Sequence, residues 1–235
     1  MSLDFSREQL LGGRMDEEAR RTQILSVLRT IPEEQYAQGY TDVKGKEGWR
    51  NPVREAIGMG LTELVRRFGF KDAVELGTAL GRSGLQMFLG GLQHLRTVEM
   101  DREAAKVAQA NFNKAGVEAV VFNMDSATYA AMHEGEIGLL FMDHAKPRTL
   151  PDLEALEPWL LPDALVLVDN SFNRSAEMQD AVAYVASNYY ASIFTEPASK
   201  GRDGPETTGL LIASKDRATF DTAFRTMVDL RSEMA

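Results

Sequence analysis

Val74, Glu75, Leu76, Gly77, Thr78, Ala79, Leu80, Gly81, Arg82, Ser83, Gly84 is the stretch whose reading decides the fold. Residues 73–76 form a short apolar run that reads as a buried strand, and residues 85–92 read as a helix, so the glycines between them occupy a strand-to-helix turn. Outward from this turn the same unit repeats. Residues 97–99, 119–122, 138–142 and 165–168 read as further buried strands, and residues 102–115 read as a helix that Gly116 stops, as a C-terminal glycine does. Such alternation predicts an α/β fold: a doubly wound, Rossmann-like, mostly parallel sheet with right-handed crossovers and helices on both faces. After Asn170 come a helix over 177–187 and strands at 192–194 and 209–213, which bring the sheet to seven strands and close it with an antiparallel hairpin edge. The polar connection 195–208 contains Pro197, Gly201, Gly204 and Pro205 and reads as a mobile loop able to cover a site. Residues 218–234 read as a final helix.

Upstream, the chain through about Gly69 reads as helical with no strand. Asn51 followed by Pro52 marks a helix start, and Val53, Ile57, Leu61, Leu64 and Phe68 recur at helical spacing until Gly69. The 235 residues are expected to form one domain, with 1–69 as a helical preface and 70–235 as the α/β core. A hydrophobic fraction of 44% is enough to bury a sheet between two helical layers. The net charge of -9 argues against a nucleic-acid partner, which requires Lys and Arg to neutralise phosphates, and favours a small-molecule substrate. The absence of cysteine excludes disulfides, thiolate metal sites and cysteine nucleophiles. Asp4, Arg7 and Glu8 stand where a secretory signal needs apolar residues, and no run approaches a membrane span, so no membrane association and a cytoplasmic location are expected.

Ligands of open α/β sheets bind at the carboxyl ends of the strands. Gly77 and Gly81 are three residues apart, wider than the one-residue spacing by which dinucleotide proteins seat pyrophosphate. Glu99 ends the next strand, where an acidic side chain accepts from both hydroxyls of a ribose. The pair marks a nucleoside. Asp125 and Ser126 follow the third strand, where an adenine edge would be read, although both residue types also cap helices.

Asp143 and Lys146 follow the fourth strand, and Asp169 with Asn170 follows the fifth. Two carboxylates and an amide oxygen are hard ligands suited to Mg²⁺ or another divalent cation. Such an ion would polarise a hydroxyl, and Lys146 would take its proton. Taken one at a time, these residues are equally well explained as loop caps and a surface charge.

The sequence resembles the catechol O-methyltransferase family of metal-dependent class I S-adenosylmethionine enzymes over about residues 70–214. Glu75, Leu76, Gly77, Gly81 and Ser83 are similar to its methionine-binding loop, and Thr97, Val98, Glu99, Met100 to its ribose-binding strand end. Asp143, His144, Lys146, Arg148, Leu150, Pro151 and Asp152 are similar to its metal segment, which Asp169 and Asn170 complete. The resemblance implies S-adenosylmethionine and Mg²⁺ as cofactors. It assigns Glu75, Gly77, Gly81, Ser83, Glu99, Met100, Asp125, Ser126, Asp143 and His144 to the cofactor, with Ser126 and His144 at the adenine. Asp143, Asp169 and Asn170 fall to the metal, and Lys146, with Asp143, to catalysis. Ala145 replaces a tryptophan that walls the catechol, and Ala79 replaces a tyrosine, so the acceptor need not be catechol itself. Glu196 and Glu206 are candidates for the acidic residue that the family sets against a second hydroxyl.

The expected activity is methyl transfer to a hydroxyl of a small vicinal diol or phenol. The alternatives are a metal-independent methyltransferase acting on nitrogen or carboxylate, a dinucleotide oxidoreductase, and a binding protein without activity. A homodimer is left open.

Overall fold

The structure is a computed structural model that describes residues 16–31, 35–41, 47–50, 55–172, 175–195, 199–201 and 204–234. In chain order the elements are α1 (Glu17–Leu28), β1 (Gln35–Thr41), β2 (Glu47–Arg50), α2 (Glu55–Phe68), β3 (Asp72–Leu76), α3 (Arg82–Leu89), β4 (His94–Val98), α4 (Arg102–Ala115), β5 (Glu118–Phe122) and α5 (Ser126–Met132). They continue with β6 (Ile137–Met142), α6 (Thr149–Leu156), β7 (Leu160–Val168), α7 (Gln179–Asn188), β8 (Tyr190–Thr195), β9 (Ser199–Gly201), β10 (Gly204–Glu206), β11 (Gly209–Ser214) and α8 (Arg217–Met234). Short 3₁₀ turns at Lys146–Arg148, Glu157–Trp159 and Ser175–Glu177 join some of them.

The seven-stranded sheet runs β5-β4-β3-β6-β7-β11-β8. β3 to β7 are parallel, and β11 pairs antiparallel with both β7 and β8. This is the predicted doubly wound sheet with a hairpin edge, and the hairpin is inserted so that β8 lies outermost. Alternate side chains along each strand feed opposite faces. Ala73, Leu95, Leu139, Phe141, Leu165 and Leu167 join α1, α2, α3 and α8 in one core. Val74, Leu76, Leu140, Met142, Val166 and Val168 join α5, α6 and α7 in the other. The long α4 contributes Ala108 and Phe112 to the first core and ends at Gly116 in left-handed conformation, as expected.

Two expectations are corrected. The segment before Gly69 is not helical throughout, because β1 and β2 form an antiparallel pair joining Tyr36 to Trp49. Tyr, Thr and Trp favour strands, but here they are interspersed with Gln, Gly and Glu, which removes the apolar alternation a strand is recognised by. The connection 195–208 is likewise not wholly irregular, since β9 and β10 pair within it from Gly201↔Gly204 to Ser199↔Glu206. Its Gly and Pro residues give loop signals, and the pairing comes from the opposite strand. Asn51, Pro52, Val53, Glu196 and Pro197 lie outside the described residues, and Glu206 is described only by its backbone. Among the described residues no helix is long and apolar enough to cross a membrane.

Candidate active site

The carboxyl ends of β4, β3, β6 and β7 lie side by side, so Glu99, Gly77, Asp143 and Asp169, each one residue past its strand, form a row. Backbone bonds fix the row: Asp143 N donates to Leu76 O at 2.8 Å, Asp169 N to Met142 O at 3.0 Å, and Gly77 N to Val98 O at 3.0 Å. Gly77 has φ 100°, and a Cβ on it would stand 2.1 Å from Asp143 O. No other residue fits there. The glycine loop thus rests directly on the backbone of the β6 terminus.

Glu99 grips that loop from the other side. Its carboxylate accepts from Ala79 N and Asp101 N, each at 2.8 Å. Ala79, with φ 46°, is held in the left-handed region that an alanine rarely adopts, and the bond to Glu99 supports it there. Met100, 57% exposed, follows and presents an apolar side chain to the open edge.

Beneath the loop lies a polar network. Glu75 is fully buried and accepts from Ser83 Oγ and, at 2.5 Å, from Thr97 Oγ1, which also bonds Thr78 Oγ1 at 2.5 Å. Burial pushes the Glu75 carboxyl up to about 7, against the lowering effect of the two hydroxyls, and the negative charges of Asp143 and Glu99 add to the rise. Glu75 and Ser83 therefore bond each other, and the carboxylate supports the loop from below. Thr78 and Thr97 were not anticipated as partners; both are buried.

Asp125 is an exposed helix cap, its two oxygens accepting from Thr128 N and Thr128 Oγ1, which holds its carboxyl below the usual range. Its neighbour Ser126 begins α5, and Asp152, in the first turn of α6, is a carboxylate with no exposure. His144 Nε2 lies 2.9 Å from the same carboxylate, and Arg148 also bonds it. Asp152 carried no assigned role in the sequence reading, although its four-residue spacing from Arg148 was a signal.

Lys146, 9% exposed in the 3₁₀ turn after β6, donates to Asp143 Oδ1 at 3.0 Å. Asp169 is buried and accepts from Asn170 N at 2.7 Å, and Asn170 itself has φ 57°. Ser171 then clamps the turn by donating both N and Oγ to Gly209 O at 2.8 and 2.9 Å. Phe172 packs its Cβ where a side chain on Gly209 would be, 2.7 Å from that position, and remains 50% exposed. Among the described residues no group of three or more His, Asp or Glu could hold a metal ion. Asp143, Asp169 and Asn170 instead offer two carboxylates and an amide oxygen at neighbouring strand ends, a donor set that suits a hard cation completed by water or substrate oxygens.

A family model described as a methyltransferase domain matches residues 74–171. The chain is 30% identical over 132 residues to Probable O-methyltransferase Rv1703c of Mycobacterium tuberculosis, a match covering 50% of this chain and 57% of that protein. The O-methyltransferase TomG of Streptomyces achromogenes, solved with S-adenosylmethionine and involved in tomaymycin synthesis, superposes with a TM-score of 0.61 at 17% identity, covering 88% of this chain and 94% of that one. An O-methyltransferase of Bacillus cereus solved with S-adenosylhomocysteine gives a TM-score of 0.60 at 16% identity, covering 88% and 94%.

Proposed function

We propose that this chain, whose residues 74–171 carry a methyltransferase domain on the class I fold, is an S-adenosylmethionine-dependent O-methyltransferase acting on a small hydroxylated acceptor. The observation that carries the reading is the row of strand ends, in which a nucleoside-type loop (Gly77, Glu99) adjoins a buried Lys146 and the Asp143, Asp169, Asn170 oxygens.

The donor's methyl group is bonded to a positively charged sulfonium sulfur, and its transfer to oxygen is an in-line displacement in which the O–C bond forms as the S–C bond breaks and the sulfur leaves as a neutral thioether. The backbone of the loop from Gly77 to Gly81 would carry the methionine part, α3 begins there with Arg82, and Glu99 would face the ribose. Lys146 Nζ would take the hydroxyl proton, for which it must first hold a free lone pair, and holding donor and acceptor in line supplies much of the rate. Asp143, Asp169 and Asn170 would hold a divalent cation, which when bound makes the acceptor hydroxyl more acidic.

Purified protein incubated with S-adenosylmethionine and a panel of phenols and vicinal diols is expected to give methyl ethers, with activity lost on EDTA treatment and restored by Mg²⁺. Lys146→Ala is expected to lower kcat by roughly 10²–10⁴ with donor affinity kept. A variant turning over normally would remove Lys146 from the mechanism.

A second reading is favoured by the direct bond of Lys146 to Asp143, which already gives that carboxylate a cationic partner. In this reading the enzyme works without a metal on a nitrogen or carboxylate. Calorimetric titration with Mg²⁺ separates the two, because only the first gives a saturable heat that Asp169→Ala abolishes.

A further inference from the structure

Thr208 carries a buried hydroxyl that finds no hydrogen-bond partner among the described residues. Burial keeps bulk water from satisfying it, and an unpartnered polar group inside a fold calls for an explanation. The carbonyl next along the chain, Gly209 O, already accepts from Ser171 N and Ser171 Oγ, which fills its two lone pairs. The Thr208 hydrogen is left to donate elsewhere. Thr207, its neighbour, is partly exposed, so the position lies just beneath the surface.

The register of the sheet decides which face this hydroxyl is on. β11 pairs antiparallel with β7 as Leu211↔Val168 and Ile212↔Leu167, so one further step of the register sets Leu210 beside Asp169. Leu210 and Ile212 share one core with Leu165 and Leu167. Side chains alternate along a strand, so Asp169, two residues beyond Leu167, and Thr208, two before Leu210, belong to that same face. Asp143, two beyond Phe141, belongs to it as well. Thr208 is therefore a diagonal neighbour of Asp169 at the end of the sheet that holds the row of strand ends, and such neighbours stand about 7 Å apart. A small molecule held at one of them reaches the other.

We propose that Thr208 is a specificity residue for the acceptor: its hydroxyl donates to an ether or carbonyl oxygen adjacent to the hydroxyl that is methylated. The acceptor class is then an ortho-methoxy or ortho-carbonyl phenol. A carboxylate in this place would only accept, and so would reject such an oxygen and select a second hydroxyl instead. The inference rests on the proposed function, in which the reacting hydroxyl lies beside Asp143, Asp169 and Lys146.

The test compares kcat/KM for 2-methoxyphenol and 4-methoxyphenol, which share the reacting hydroxyl and differ in where the ether oxygen lies. The wild type is expected to favour the 2-methoxy isomer by about tenfold. Thr208→Val, which puts a methyl group where the hydroxyl was, is expected to bring the two isomers to within about twofold of each other. Thr208→Ser keeps the hydroxyl and is expected to keep the preference. Because no partner within the protein is lost, Thr208→Val is also expected to unfold at a urea midpoint no lower than that of the wild type. A lowered midpoint with the preference unchanged would give the hydroxyl a structural role and overturn the proposal, as would a preference lost equally in Thr208→Ser. If Thr208→Val does not fold, the preference in Thr208→Ala decides: unchanged, it overturns the proposal, and reduced, it supports it. A wild type that methylates no phenol or diol at all overturns the proposed function itself. One that methylates catechol but not 2-methoxyphenol, or both methoxyphenols equally, overturns only this inference.

Discussion

Glu75 shows how one buried group links stability to pH. Its carboxyl ionises near 7 in the folded chain and near 4.5 in the unfolded chain, so between these values the folded state holds a proton that the unfolded state has released. Stability is therefore highest below about 4.5 from this group and falls as pH rises through 7, by roughly 3 kcal/mol in all. Glu75→Gln, which removes the titrating group and replaces one of its two accepting oxygens with a donor, is expected to flatten that slope, read from urea midpoints at several pH values. An unchanged slope would mean that Glu75 is not the group responsible. Residues at strand ends were legible because their position follows from the strand pattern, as with Gly77, Glu99, Asp143 and Asp169. What Glu75 touches was not, because its partner Thr97 is 22 residues away and no local rule joins them.

The turn from Asp169 to Phe172 follows β7 and, under the proposed function, borders the acceptor. Ser171 ties it to Gly209, and Phe172 projects beside it, half exposed where an apolar ring of this size is normally covered. Under the proposed function Phe172 offers a face to an aromatic acceptor. Phe172→Ala is expected to raise KM for a phenolic acceptor about five- to tenfold while leaving donor affinity within twofold, through loss of ring contact. Equal KM values in mutant and wild type would remove Phe172 from the pocket. Elements were legible in proportion to their length and apolar content: the five parallel strands and α4 stood out, but α5 and α6 did not. Each makes only about two turns, too few for a helical period to declare itself, and Pro151 in the first turn of α6 looks like a break until its position is known. The β1–β2 and β9–β10 pairs escaped for a related reason, since their stabilising partner lies on another strand and their own residues are polar.

At the scale of the whole molecule, two cores on opposite faces of one sheet divide the work. In the core shared by α2 and α8, Met227 fills the space beside Gly60, whose absent side chain would meet the methionine at 2.5 Å. Met227→Ala is expected to cost about 2–5 kcal/mol in urea unfolding with donor affinity unchanged. A large loss of affinity would show that the two faces are coupled. The layer architecture was readable from alternation alone, but the position of β11 was not, since nothing in a strand's own residues says which neighbours it will lie between. That position bears on how the chain is made. Strands emerge from the ribosome in order, yet β11 has to enter between β7 and β8, both synthesised before it. Until residue 214 is available, the flank of β7 has no neighbour, and the Asp169 turn lacks the carbonyl of Gly209 that holds Ser171. The glycine loop can therefore be assembled before β11 exists, whereas the Asp169 turn is completed only once Gly209 is in place, which makes a product cut short before Gly209 defective at that turn first.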